Sequence, residues 1–361
     1  MADTQPKSYA DEERIKNTVH LKGLLEQLPS FCYTYFRGIA QTTSVKTRMG
    51  YAYDLKIFFG FLCECHPHFK GTKFEDIRPE DLEYVRPMDI EEFLDYVSIY
   101  SPYDDESGKT DENTTILNSE SAKSRKLAAV RGMYKYYLRK GYINSDPASL
   151  VETPKIHDKT IIRLESNEVA DLLDEVETGE NLTKRQQKFH EKTKVRDLAI
   201  ISTLVGTGIR VSECVGLNID DIDFESYSFI VTRKGGKQAQ IYFGDEVAEA
   251  LADYMRYRKD HPPADENDKA LFLSSHGKRI SVRQVQLMVK KYSQGVIKLK
   301  KITPHKLRST FGTNLYLATE DIYLAADVLG HADVNTTRKH YTDSEIYLKR
   351  KAARKIHLRK D

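Results

Sequence analysis

Cysteine and long apolar runs are scarce in this 361-residue sequence, and tryptophan is missing altogether. The four cysteines, Cys32, Cys63, Cys65 and Cys214, lack the pattern of a disulfide framework and suit a reducing cytosol. No apolar run approaches the roughly 20 residues that a membrane-spanning helix needs. The polar, acidic N-terminus is unlike a signal peptide. These absences predict a soluble protein of the cytoplasm.

An excess of charge of either sign is also lacking. The chain has 56 lysines and arginines against 54 aspartates and glutamates, so its formal net charge is +2. Bulk charge therefore gives no reason to expect a nucleic-acid partner, and any such argument must rest on where the cations cluster. What the chain does have is length, because 361 residues can form two domains with a core each.

Helical periodicity dominates the first 150 residues. Apolar residues recur at helical spacing in four stretches, over residues 21–35, 44–65, 88–97 and 121–140. Residues 101–119 are acidic and rich in turn formers, which predicts a surface loop. Residues 1–20 are polar and predict a frayed or short helical lead-in. The sequence therefore predicts a helical domain over residues 21–150.

Sequence punctuated by proline separates this region from the rest of the chain. Pro147 and Pro154 bracket unpatterned sequence, so residues 151–160 are predicted to be a linker. Residues 161–361 then form a second domain, which ends in a basic tail. Within it, residues 178–194 are a charged insert without clear periodicity, and no role follows from their sequence.

A β-hairpin is predicted between two helical parts of the second domain. Residues 228–232 and 239–243 are rich in β-formers, and the turn between them contains two glycines. A lysine at the tip of a hairpin can swing into and out of a cleft. Lys234 and Lys237 are therefore candidates for a functional role, against the simpler interpretation of solvated turn lysines.

Three short segments near the C-terminus carry candidate functional residues. Thr303 and Pro304 predict a helix start, which places His305 and Arg308 on one helical face where a phosphate can bind. The segment Ile322–Leu329 predicts another helix, and Gly330 predicts its end. Two polar residues follow, first His331 in the inter-helix turn and then Tyr341 ten positions later.

An arginine upstream completes a pattern. Gly206-Thr207-Gly208-Ile209-Arg210-Val211-Ser212-Glu213 predicts an arginine on a helix of small and apolar residues, with Glu213 as its ion-pair partner one turn on. Together, Arg210, His305-x-x-Arg308, Leu-Gly-His331 and Tyr341 resemble, in order, the signature of the tyrosine recombinases, the Xer and phage-integrase family. The resemblance covers about the C-terminal half of the chain.

This resemblance implies a fold and a chemistry. The expected fold is mainly α, with an N-terminal helical, SAM-like core-binding domain and an α-rich catalytic domain that contains a small antiparallel β-sheet. The implied activity is site-specific DNA cleavage and rejoining through a 3′-phosphotyrosyl intermediate and a Holliday junction, in integration, excision or Xer-type recombination. The resemblance implies six catalytic residues, which are Arg210, Lys234, His305, Arg308, His331 and Tyr341.

The other residues of the pattern receive supporting roles. Glu213 buttresses Arg210, and Lys237 is the reserve for Lys234, because Lys-Gly-Gly-Lys is similar to the family's Lys-Gly-x-Lys turn. Two positions depart from the family pattern. Tyr341 lies one residue further from His331 than usual, and Ser309 stands where a histidine is common. The first departure leaves the identity of the nucleophile open, since Tyr347 is nearby.

The implied partner is double-stranded DNA containing recombination sites. Six cations are candidates for contacts to its phosphates, namely Lys46, Arg48, Lys123, Arg125, Arg131 and Arg283. A basic face on a helix is just as often simply solvated, so both interpretations stay open. The resemblance further implies a homo-tetramer on DNA, formed through exchange of C-terminal helices, with possible accessory proteins and nucleoid association.

No cofactor is implied by the resemblance, neither ATP nor a metal ion. The segment from Cys63 to His68 holds two cysteines and two histidines, but its spacing is tighter than a zinc pair and no second pair is evident. Two alternatives to a recombinase share the constellation. One is a catalytically inactive DNA-binding protein on the same fold, and the other is a type IB topoisomerase.

Overall fold

The fold is mainly helical, as the sequence predicts, with small antiparallel sheets. The computed structural model describes residues 9–100, 103–104, 109–110, 115–156, 162–233, 236–266, 268–297 and 299–330. Within these residues, no helix is both long and apolar enough to cross a membrane. The chain divides into two compact units, residues 1–158 and 159–361.

In its described residues, the first unit packs five α-helices around an aromatic core. They are α1 (Tyr9–Leu25), α2 (Cys32–Gly38), α3 (Val45–Cys65), α4 (Pro87–Tyr96) and α5 (Glu120–Lys140). The side chain of Ser44 accepts a hydrogen bond from the Thr47 N–H and caps α3, so this helix begins where the pattern predicts. Buried tyrosines on α5 bond to distant backbone, since the Tyr137 hydroxyl donates to the Phe31 carbonyl at 2.7 Å.

The acidic segment after α4 is not a plain loop, contrary to the prediction. Two short antiparallel pairs form here, β1 (Ile99–Tyr100) with β4 (Ile116–Leu117) and β2 (Tyr103–Asp104) with β3 (Lys109–Thr110). The apolar, β-favouring residues of β1 and β4 flank the acidic stretch. They are too few to give a period that can be recognised in the sequence.

The second unit combines helices with one three-stranded sheet. The helices in its described part are α6 (Ser166–Thr178), α7 (Lys184–Thr207), α8 (Val211–Gly216), α9 (Asp245–Asp260), α10 (Val282–Val296), α11 (Pro304–Thr319) and α12 (Ile322–Leu329). The strands β5 (Ile222–Asp223), β6 (Ser228–Thr232) and β7 (Gln238–Tyr242) pair antiparallel in chain order. The strands of the hairpin β6–β7 pair with Phe229 opposite Ile241, and the hairpin itself is present as predicted.

The charged insert 178–194 is largely helical, which its sequence did not indicate. α7 begins at Lys184, and the Thr183 side chain accepts from the Gln186 N–H in a capping box. Within this stretch His190 is buried, and its Nδ1 lies 3.1 Å from the Tyr292 hydroxyl on α10. That hydroxyl also donates to Asp197 at 2.9 Å, so it accepts from His190 Nδ1–H.

Removal of the Tyr292 hydroxyl should destabilise the second unit. Burial, and then Asp197, raise the pKa of Tyr292, so the hydroxyl stays protonated and bonded. Tyr292→Phe removes the hydrogen bond described for His190 and one of several that Asp197 accepts, and the expected loss of unfolding free energy is about 1–3 kcal/mol. Urea unfolding measures it. In the control Tyr257→Phe, the lost hydroxyl bond to the Lys192 carbonyl is exposed, and a smaller loss is expected. Equal losses would contradict the prediction.

Candidate active site

Arg210 lies at the start of a helix and not within one. α7 ends at Thr207, and Gly208 follows with φ of 63°, a left-handed conformation that glycine adopts at low cost. The chain then turns, so that Arg210 is the extended residue immediately before α8. The prediction of an arginine inside a helix is therefore wrong, because the glycine stop separates α7 from α8.

The Glu213 side chain binds both the backbone and the side chain of Arg210. The carboxylate accepts from the Arg210 N–H and from its Nη1, both at 2.8 Å. Glu213 is buried, whereas the Arg210 side chain is 39% exposed. A buried carboxylate that binds one edge of a guanidinium fixes its plane and leaves other donors for a ligand. The pairing that the spacing suggested is thus present.

Cys214 beside it is a packing residue. Burial, and then the charge of Glu213, raise the pKa of the Cys214 thiol. A thiol with a raised pKa stays protonated at neutral pH, and the nucleophilic form of cysteine is the thiolate. Cys214 is therefore no competitor for the role of nucleophile.

α11 presents His305 and Arg308 to different surroundings. The helix starts at Pro304, but the Thr303 side chain makes no capping bond, and its carbonyl accepts from the Lys306 and Leu307 N–H groups instead. His305 is exposed, whereas Arg308 is only 5% exposed. Arg308 donates from Nη1 to the Gly208 carbonyl at 2.6 Å and from Nη2 to the Leu329 carbonyl. It therefore ties together the turns that end α7 and α12.

The guanidinium groups of Arg210 and Arg308 meet at the end of α12. Gly330 ends this helix in the left-handed conformation, with φ of 65°. Nη2 of Arg210 donates to the Gly330 carbonyl at 3.4 Å, next to the Leu329 carbonyl that binds Arg308. The last carbonyls of a helix have no partner within it and carry partial negative charge, so they attract guanidinium groups.

A third arginine, which the sequence interpretation missed, binds the same helix end. Arg233 donates from Nη2 to the Val328 carbonyl at 2.7 Å and from Nη1 to the Asp327 carbonyl at 3.4 Å. Three guanidiniums therefore bind the four successive carbonyls from Asp327 to Gly330. The only signal in the sequence was the position of Arg233 directly before the candidate Lys234, and the resemblance assigns nothing to that position.

Three of the predicted catalytic residues lie outside the described residues, namely Lys234, His331 and Tyr341. Lys237 is described and exposed, and its carbonyl accepts from the Arg233 N–H at 2.7 Å to close the hairpin turn. Among the predicted residues that the structure describes, three lie together near the end of α12, namely Arg210, Glu213 and Arg308. His305 lies one helical turn before Arg308.

Comparison with known proteins agrees with this geometry. The phage integrase family matches residues 163–346. Tyrosine recombinase XerC of Caldanaerobacter subterraneus subsp. tengcongensis is 33% identical over 320 residues, which cover 86% of this chain and 82% of the relative. Tyrosine recombinase XerS of Streptococcus uberis is 30% identical over 331 residues, covering 86% of this chain and 90% of the relative. The chain belongs to the phage integrase family.

Solved structures support the fold of this tyrosine recombinase. The XerH site-specific recombinase, in a post-cleavage complex with palindromic difH substrate, is similar with a TM-score of 0.63 and 20% identity. The match covers 87% of this chain and 81% of that one. The predicted family and fold are therefore confirmed, and the protein is a DNA strand-exchange enzyme of the site-specific recombinase class.

The cations proposed to contact DNA differ in what already binds them. In the first unit of the recombinase, the Lys46 side chain is 70% exposed and pairs with Glu13 at 3.6 Å. The Arg125 side chain is half exposed and pairs with buried Asp54, while Lys123 pairs with Glu120 at 2.8 Å. Lys46 and Arg125 thus present more charge to solvent than Lys123.

Arg131 and Arg48 have different surroundings from these. Arg131 donates to the Ala148 and Val151 carbonyls and to the Thr153 hydroxyl, so it fastens the segment after α5 to that helix. Arg48 is half buried, and burial lowers its pKa. In the second unit, Arg283 is exposed near the start of α10. Arg283, Lys46 and Arg125 are the candidates that remain most open to a phosphate.

Proposed function

We propose that this recombinase cleaves each DNA strand by attack of the Tyr341 hydroxyl on the phosphorus of the scissile phosphodiester. The bond from phosphorus to the tyrosyl oxygen forms as the bond to the 5′ oxygen breaks, which yields a 3′-phosphotyrosyl link and a free 5′-hydroxyl. Lys234 delivers a proton to the leaving oxygen, and Lys237 is the reserve for that role. A later attack by a 5′-hydroxyl of the partner strand reverses the step, and two rounds pass through a Holliday junction.

The observation that carries the proposal is the convergence of Arg210 and Arg308 on one helix end. Charge grows on the two non-bridging oxygens as the phosphorus becomes five-coordinate, and fixed guanidinium donors bind that charge without rearrangement. Glu213 holds one of them in plane, and the carbonyls of Gly208 and Leu329 hold the other. Arg210 has five N–H donors, so donors beyond those that bind Glu213 and Gly330 remain for a phosphate.

The histidines supply donors and exchange protons near neutral pH. His305 begins α11 one turn before Arg308, and His331 directly follows the Gly330 that Arg210 contacts. Imidazole gains and loses its proton close to pH 6.5, so a histidine at a phosphate can donate a hydrogen bond or take up the nucleophile's proton. This proposal uses neither ATP nor a metal ion.

The remaining assignments follow from family membership. We propose that residues 21–150 form the core-type DNA-binding domain, that 151–160 are the linker, and that 161–361 are the catalytic domain. The partner is duplex DNA with recombination sites, bound by a homo-tetramer that exchanges C-terminal helices, with accessory proteins where the reaction needs them. The complex acts in the cytoplasm on nucleoid DNA.

Nicked duplexes that tile the DNA flanking the protein's own gene test this proposal. Cleavage near a nick releases a short fragment, which traps the covalent intermediate, and a denaturing gel then shows protein joined to DNA. A covalent adduct at one site supports the proposal. Site-specific binding without an adduct indicates an inactive DNA-binding protein. Adducts at many sites, with relaxation of supercoiled plasmid and no strand exchange between two sites, indicate a topoisomerase.

A further inference from the structure

Arg233 links two parts of the active site that belong to different elements. It is the first residue after β6, and its N–H donates to the Lys237 carbonyl while its carbonyl accepts from the Gly236 N–H at 3.1 Å. The backbone of the hairpin base is thereby closed. The guanidinium extends away from the turn and binds the Val328 and Asp327 carbonyls of α12.

Both the end of α12 and the side chain of Arg233 favour the contact between them. Gly330 has no side chain, and a Cβ there would collide with the Arg233 guanidinium. The guanidinium also carries a full positive charge at the end of a helix where roughly half a negative charge resides. Two hydrogen bonds to helix-end carbonyls, one of them at 2.7 Å, hold the hairpin base against α12 more firmly than a solvated turn would be held.

The position of this contact connects it to the chemistry. Lys234 directly follows Arg233 in the chain, and α12 ends at the carbonyls that bind Arg308 and Arg210. If the base of the β6–β7 hairpin could move relative to those arginines, Lys234 would lie at the leaving oxygen for a smaller fraction of the time. An error of about 1 Å in the placement of a reacting group can cost roughly 100-fold in rate.

We propose that Arg233 is a positioning residue, which fixes the base of the β6–β7 hairpin to the C-terminal end of α12 and thereby sets the reach of the lysine that protonates the leaving 5′ oxygen. The inference rests on the proposed cleavage chemistry. The proposal assigns Arg233 no contact with the phosphate, because the hydrogen bonds described for its guanidinium go to the helix end. Its loss should therefore impair protonation of the leaving group and spare the other steps.

Replacing the leaving oxygen with sulfur separates a loss of leaving-group protonation from a loss in the other steps. In a nicked duplex whose scissile phosphate carries sulfur in place of the bridging 5′ oxygen, the leaving thiolate needs no proton, since thiols ionise near pH 8.5. Cleavage by Arg233→Ala of the ordinary duplex should fall about 10- to 100-fold, a partial loss compared with the roughly 10²- to 10⁴-fold contribution of general acid catalysis. Cleavage of the sulfur duplex should stay within about 3-fold of wild type. Lys234→Ala should give the same pattern more strongly.

Two further variants keep the test decisive. Arg233→Lys retains the charge and a single donor nitrogen in place of the guanidinium fork, so it should fold even if the alanine variant does not. We expect an intermediate loss of cleavage on the oxygen duplex alone. Arg256→Ala removes an arginine of the same unit that is 77% exposed in its side chain, and it should match wild type on both duplexes.

The outcomes separate this inference from the proposed function. Absence of any wild-type adduct refutes the proposed cleavage chemistry. A wild-type adduct with equal losses for the Arg233 variants on both duplexes refutes the inference, because Arg233 then acts on the phosphate or on folding. Unchanged cleavage of the oxygen duplex by both variants also refutes it.

Discussion

Phenylalanine in place of Tyr341 should abolish the covalent adduct between protein and DNA. Phenylalanine keeps the ring and removes the oxygen that forms the bond to phosphorus, so no other group in the proposed reaction can replace it. We expect cleavage of the nicked duplex to fall at least about 10⁴-fold, to below detection on a denaturing gel. Binding to the same duplex in a gel-shift assay should remain close to wild type.

The matched control for this variant is Tyr347→Phe, six residues further along the chain. Its adduct should be normal if Tyr341 is the nucleophile. An adduct that persists in Tyr341→Phe and disappears in Tyr347→Phe would move the role to Tyr347. That result bears directly on the unusual spacing between His331 and Tyr341, which is one residue longer than the family pattern.

Alanine in place of Arg308 should have the second-largest effect, on both chemistry and stability. A lost donor to a developing oxyanion costs roughly 10²- to 10³-fold in rate, and Arg308 supplies a charge as well. The change also leaves the buried Gly208 and Leu329 carbonyls without their partner, at about 1–3 kcal/mol for each group. Single-turnover cleavage and urea unfolding measure the two effects separately.

Arg258 offers a control with nearly the same structural role. It is 6% exposed, against 5% for Arg308, and it donates to the carbonyls of Ala270 and His261. Arg258→Ala should lose stability without losing cleavage by the folded fraction. Arg308→Lys should retain more stability than alanine but still cleave slowly, because an ammonium group lacks the forked donors. Wild-type cleavage by Arg308→Ala would remove this residue from the mechanism.

Elements whose ends are marked locally could be predicted closely. α12 spans Ile322–Leu329 with Gly330 as its stop, α3 begins after Ser44, and the hairpin strands match the predicted runs to within one residue. Caps, stops and periodicity act over a few neighbouring residues, so their signals lie together in the chain. The charged start of α7 shows the limit, because its buried His190 is stabilised by α10 rather than by neighbours.

The sequence by itself determined the family, the order of the candidate catalytic residues and the ends of helices such as α3, α5 and α12, because each depends on residue types at short spacing. The predicted helical stretch over residues 21–35 was wrong, since α1 ends at Leu25 and α2 begins at Cys32. Only the tertiary structure decided that Arg210 precedes a helix, that Arg308 is buried while His305 is exposed, and that Arg233 joins them at the end of α12. The partners in these contacts are backbone carbonyls about 20 to 120 residues away. Every residue carries such a carbonyl, so no side-chain pattern can mark the ones that folding leaves for a guanidinium.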